Sequence, residues 1–123
     1  LNVICADYDI ENYFQHIVYN EDTNNRCPAC WWLRLLKTVR FAKENGFDAF
    51  TTTLLGSPYQ DHDIIRNIMQ DIAKKIKSEF YYKDFRPAYG DAHAKAKALG
   101  YYCQNYCGCV FSEKERLERR EIQ

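Results

Sequence analysis

The stretch Phe47-Asp48-Ala49-Phe50-Thr51-Thr52-Thr53-Leu54-Leu55 is apolar and rich in β-branched threonine, which reads as a buried strand. Gly56-Ser57-Pro58 breaks it. From Asp61 to Ile76, the isoleucines at 64, 65, 68, 72 and 76 recur at helical spacing, and Glu79 to Tyr82 has the character of a short strand. Working outward, a helix is expected from near Pro28 to Gly46, because proline suits a first turn and glycine the position just past a last one. Its apolar positions include Trp32, Leu35, Leu36, Val39 and Ala42. The polar run Asn20–Asn25 reads as a loop. Before it, a helix beginning at Asp9 carries Ile10, Tyr13, Phe14, Ile17 and Val18 on one face. The opening Leu1-Asn2-Val3-Ile4-Cys5 reads as a strand entered partway through a protein. Downstream, Asp91–Leu99 is an alanine-rich helix ended by Gly100. A charged helix starts at Ser112, where Ser-x-x-Glu has the pattern of a capping box.

This alternation is the rhythm of an α/β sheet with crossover connections. Ligands of such sheets lie beyond the carboxyl ends of the strands, which places Thr51–Tyr59 beside the expected site. The 123 residues suffice for a single domain, and 46% apolar with 15% aromatic residues favours a folded chain. Seventeen basic and seventeen acidic residues cancel, which argues against gripping nucleic acid by bulk charge but leaves a local basic patch open. No apolar run approaches a membrane span and no charged-then-apolar leader opens the chain, so a cytoplasmic, soluble protein without membrane partners is expected.

Six cysteines are many for a cytoplasmic chain of this length, and as disulfides they would allow fifteen pairings. Disulfide scaffolds are usually secreted and poor in helix-forming sequence, which does not describe this chain. Four of the six fall in two tight pairs, which suits chelation. Cys27-Pro28-Ala29-Cys30 puts two thiols one turn apart at an expected helix start, where the positive end of the helix favours a thiolate. In Cys107-Gly108-Cys109, an extended backbone would turn both thiols the same way, and glycine lets the chain bend close to a cofactor. A metal or cluster site is the favoured reading, ahead of a redox dithiol and of inert buried thiols; spacing alone does not choose between zinc and iron. Cys5 and Cys103 have no near partner and read as small packing residues.

With both pairs in view, the chain resembles the QueH family of epoxyqueuosine reductases nearly from end to end. The resemblance rests on Arg26-Cys27-x-x-Cys30 with Leu33-Arg34-Leu35, on Phe50–Pro58 with His62, on Asp84-Phe85-Arg86, and on Tyr102-x-Gln104-Asn105-Tyr106-Cys107-Gly108-Cys109. It implies a three-layer Rossmann-like (HUP-like) domain with a mainly parallel sheet, of which this chain is an N-terminally truncated, C-terminal part. It implies reduction of the epoxide of epoxyqueuosine in the tRNA anticodon loop to give queuosine, without cobalamin and with an electron donor the sequence does not name. The implied cofactor is a 4Fe–4S cluster with an adjacent iron, and Cys27, Cys30, Cys107 and Cys109 match two of the three places that hold it. The third, an adjacent cysteine pair on the family's first strand, is absent from this chain. Cys103 stands where the family usually has arginine.

Around these cysteines, the resemblance makes Arg34, Thr52, Thr53, Ser57, Tyr59, His62, Tyr102 and Gln104 candidate substrate contacts. Read from residue type, the threonines and Ser57 offer hydroxyls at a strand end, but a β-rich strand with a Ser-Pro turn explains them equally. His62, Tyr59 and Asp84 are candidate proton donors. Lys37, Arg40 and Lys43 read as a solvated helix face, and Arg116, Arg119 and Arg120 as partners of neighbouring glutamates. Trp31 and Trp32 suit base stacking or shielding of a cluster, with at least one expected in the core. The competing readings are a structural Zn²⁺ module built on the same four cysteines and a dithiol reductase centred on Cys27 and Cys30.

Overall fold

The computed structural model describes residues 2–121. The chain forms two compact units, one of residues up to Leu55 together with Tyr59–Lys83, the other of Gly56–Pro58 and the residues from Asp84 onward.

In the first unit, helix α1 (Ile10–Ile17) starts where Asp9 Oδ1 accepts the Asn12 N–H at 3.2 Å. Ile17 is fully buried, whereas Ile10, Phe14 and Val18 of the same predicted face stay substantially exposed. Helix α2 spans Thr23–Glu44. Strand β1 (Ala49–Phe50) leads through a 3-10 turn, Thr53–Gly56, into helix α3 (His62–Ile76) and strand β2 (Glu79–Phe80). β1 and β2 pair in parallel, Ala49 with Glu79 and Phe50 with Phe80, and the Tyr81 N–H continues the pairing onto Phe50 O at 2.9 Å. Strand, crossover helix and parallel strand are the minimal βαβ unit. Its core joins Trp31, Leu35, Val39 and Ala42 of α2, Phe50, Leu55, and Ile65, Met69, Ile72 and Ala73 of α3. The apolar positions of α2 fall on one stripe at i, i+4, i+8 and i+11, which is why that face packs on α3.

Three expectations are corrected. The Asn2–Cys5 segment forms no strand: Val3 and Ile4 are 78% and 69% exposed, and Leu1 lies outside the described residues. An apolar run becomes a strand only against a partner edge, and among the described residues the one sheet pairs β1 with β2 and does not include this segment. The strand expected over Phe47–Leu55 shortens to two residues, because the Thr52 hydroxyl and carbonyl accept the Leu54 and Leu55 N–H groups, both at 3.3 Å, and fold the chain into the 3-10 turn. Helix α2 starts at Thr23, five residues before Pro28, because Asp22 caps it: one carboxylate oxygen accepts the N–H groups of Asn24 and Asn25 at 3.1 and 3.3 Å. Half of the presumed polar loop is therefore helix, and Pro28 lies inside it.

The second unit contains a 3-10 turn, Arg86–Ala88, followed directly by helix α4 (Tyr89–Ala98), and then helix α5 (Val110–Glu121). Gly100, at φ +73, turns the chain out of α4. Among its described residues none is buried.

Among the described residues, no helix is long and apolar enough to cross a membrane.

Candidate metal and substrate site

Cys27 and Cys30 lie in the second turn of α2, half-buried beside the core stripe. At about 100° per residue, Cys27, Cys30 and Arg34 follow one another up a single face that borders the buried positions. Cys27 packs against the core, whereas Arg34 is exposed. The cap at Asp22 already uses the first N–H groups of α2, and the dipole fades beyond the first turn, so the helix-end argument made for Cys27 does not hold. Ahead of this turn, Arg26 ties down the start of the helix. Its side chain is buried at 2% exposure, with Nη1 donating to the Glu21 carbonyl and Nη2 to Thr23 Oγ1 at 3.2 Å. Asp22 itself has its carboxyl below the ordinary value of 3.8, first because the Asn25 side chain donates to it at 2.6 Å and then through the backbone bonds of its cap. Trp31 is core, at 6% exposure. Trp32, about 200° round the helix from Cys30, faces away from the cysteines and stacks on His16 at 6.4 Å between ring centroids.

The Cys107-Gly108-Cys109 segment is bent where an extended one was expected. Gly108 has φ +87, a conformation that opposes the alternation of an extended chain and that L side chains rarely adopt. A β-carbon there would also stand 3.1 Å from Gln104 Nε2, which is committed to the Tyr106 carbonyl at 2.7 Å. The two thiols consequently differ, Cys107 exposed and Cys109 half-buried.

Cys109 immediately precedes α5. Its carbonyl accepts the Glu113 N–H at 3.1 Å, the first bond of the helix, and its Sγ accepts the Ser112 N–H at 3.3 Å. A sulfur thus occupies the capping place usually taken by a serine or aspartate oxygen. Ser112, expected to cap the helix itself, is its third residue. Its Oγ accepts the Cys107 N–H at 3.0 Å and donates to the Cys109 carbonyl at 3.3 Å. The positive end of a helix, anticipated at Cys27, is found at Cys109, where it favours a thiolate.

Of the other candidates, Thr52 caps the 3-10 turn, and Thr53, its first residue, is exposed. His62 opens α3 at 6% exposure, and Tyr59 is 80% exposed. In the second unit, Ser57 is half-buried, Tyr102 is 82% exposed, and Gln104 serves the loop as described. Asp84 is gripped by Arg86, whose Nε lies 2.9 and 3.0 Å from the two carboxylate oxygens and whose Nη2 lies 2.6 Å from one of them. The sequence pattern did not single out Arg26 as a buried brace or Ser112 as a loop clamp.

Two thiols one helical turn apart and a sulfur already receiving an N–H are donors of the kind that iron–sulfur centres and zinc take up, so the donor chemistry fits such a group. Within either unit, among the described residues, no three His, Cys, Asp or Glu side chains are gathered to hold a metal ion.

A crossover-linked α/β chain with two close-spaced cysteine pairs, one in the second turn of a helix and the other leading into a helix, is the class that fold and site define. Comparison narrows it. The model of the family described as epoxyqueuosine reductase QueH matches residues 1–115. Proteins of that name from Thermotoga maritima and Dehalococcoides mccartyi are 42% and 37% identical, over 97% and 89% of this chain. One from Histophilus somni is 33% identical over 96% of it. The chain covers 66%, 59% and 51% of their respective lengths. The chain belongs to the QueH family.

Proposed function

We propose that this chain is the part of an epoxyqueuosine reductase that supplies Cys27, Cys30, Cys107 and Cys109 to a 4Fe–4S centre with an adjacent iron, and that it acts on epoxyqueuosine in the anticodon loop of tRNA. In this reading the βαβ unit belongs to the three-layer, Rossmann-like sheet of the whole protein, which works in the cytoplasm. The observation that carries it is the presence of two close-spaced thiol pairs, the second tied together by Ser112, in a chain of this family.

Converting an epoxide to an alkene takes up two electrons and two protons and releases water. When bound, the centre would supply the electrons one at a time and polarise the departing oxygen. The chain's own residues bind, orient and protonate. Arg34, exposed on the cysteine face of α2, suits a phosphate. Thr52, Thr53, Ser57 and Tyr102 offer hydroxyls to a modified base or ribose, the Thr52 oxygen accepting one N–H while keeping its own O–H to donate, and Gln104 offers its amide oxygen. Arg86 occupies both oxygens of Asp84, which makes this carboxylate a poor proton donor and leaves Tyr59 and His62 as the candidates. An electron donor completes the reaction.

Purification without oxygen, followed by iron, acid-labile sulfide and zinc analysis, tests the reading. A brown protein containing iron and sulfide is expected, together with conversion of epoxyqueuosine to queuosine in tRNA supplied with a chemical reductant. A colourless protein holding tightly bound zinc and no sulfide would overturn it in favour of a structural module.

A further inference from the structure

We propose that Ser112 is the positioning residue of the second cysteine pair, fixing the Cys107 backbone and the Cys109 sulfur in a ligand-ready arrangement before any metal arrives. The inference rests on the reading above for what the arrangement is for, but the geometry is independent of it. One residue makes three contacts with the pair: its N–H to Cys109 Sγ at 3.3 Å, its hydroxyl accepting the Cys107 N–H at 3.0 Å, and the same hydroxyl donating to the Cys109 carbonyl at 3.3 Å.

Each contact has a distinct consequence. The N–H to sulfur bond holds the Cys109 side chain against the start of α5, where its lone pairs meet a donor; such bonds also tune a sulfur once it carries iron. The hydroxyl ties the residue before the Gly108 bend to the residue after it, closing the turn that φ +87 opens. Gln104, bonded to the Tyr106 carbonyl and lying against Gly108, braces the same turn from its other side. The arrangement is a capping box in which sulfur replaces the cap oxygen and the third helical residue reaches back two residues farther than usual.

The test is site-resolved alkylation of metal-free protein with iodoacetamide, read by mass spectrometry, in wild type, Ser112→Ala and Ser112→Thr. Removing the hydroxyl should raise the Cys109 labelling rate about fivefold, the Boltzmann equivalent of one hydrogen bond, while labelling of Cys27 and Cys30 is unchanged. Ser112→Thr, which keeps the hydroxyl, should restore the wild-type rate. In iron-loaded protein, Ser112→Ala should release iron to a chelator roughly tenfold faster, the usual effect of losing an outer-shell partner. Unchanged Cys109 labelling in Ser112→Ala would overturn the inference. A clear labelling response in a protein that takes up no iron would sustain Ser112 as a positioning residue and defeat the iron–sulfur reading alone.

Discussion

Cys109 stands where two demands meet: its sulfur starts α5 and is a proposed ligand. Substitution separates them. Serine is among the strongest N-caps, so Cys109→Ser should leave stability to denaturant within a few tenths of a kcal/mol of wild type while abolishing iron uptake. Cys109→Ala should lose the iron as well and cost about 1 kcal/mol. Iron analysis and urea unfolding of both variants check the distinction. Sequence reading found the four cysteines and the Ser112 motif, because spacing is written in the sequence. It missed that the motif starts three residues earlier, since whether a thiol can act as a cap depends on where Gly108 sends the backbone. Arg26 was visible as part of a motif, but its burial follows from the fold of the preceding turn.

Among the elements, α3 was the most legible. Its isoleucines recur at helical spacing, Asp61 caps it through the Ile64 N–H at 3.0 Å, and Ile65 and Ile72 are buried as the stripe requires. The fully buried Met69 also belongs to that stripe. Strands were less legible because they depend on partners: Glu79–Phe80 pairs with β1, whereas Asn2–Cys5, equally apolar in appearance, does not pair. Helix α2 was misread at its beginning because Pro28 drew the boundary, although Asp22 supplies the stronger start signal. The lowered pKa of Asp22 carries a consequence for pH. A carboxyl held below its unfolded value contributes stability that is present above about pH 3.8 and is lost as pH falls through the folded value. The first turn of α2 should therefore fray in acid, seen as faster amide exchange of Asn24 and Asn25. Asp22→Asn keeps a capping oxygen but does not titrate, and should remove that pH dependence while retaining the helix start.

Across the whole chain the buried core is confined to the first unit, and the second has no buried side chain among its described residues. A segment with little core is stabilised mainly by local bonds or by a bound group, and metal binding then becomes folding free energy. Removing the proposed centre with a chelator should accordingly speed amide exchange throughout α4 and α5, while the α2–α3 core keeps its protection. Equal protection of α4 and α5 with and without metal would show that this unit is ordered by its own contacts.

The most direct measurement is iron per chain in two double variants purified without oxygen, Cys27→Ser with Cys30→Ser, and Cys107→Ser with Cys109→Ser. If the four thiols serve one centre, either pair of substitutions should reduce iron and sulfide to background. Retention of about half the wild-type iron in either variant would mean that the cysteine pairs bind metal separately, and the proposed shared centre would be wrong.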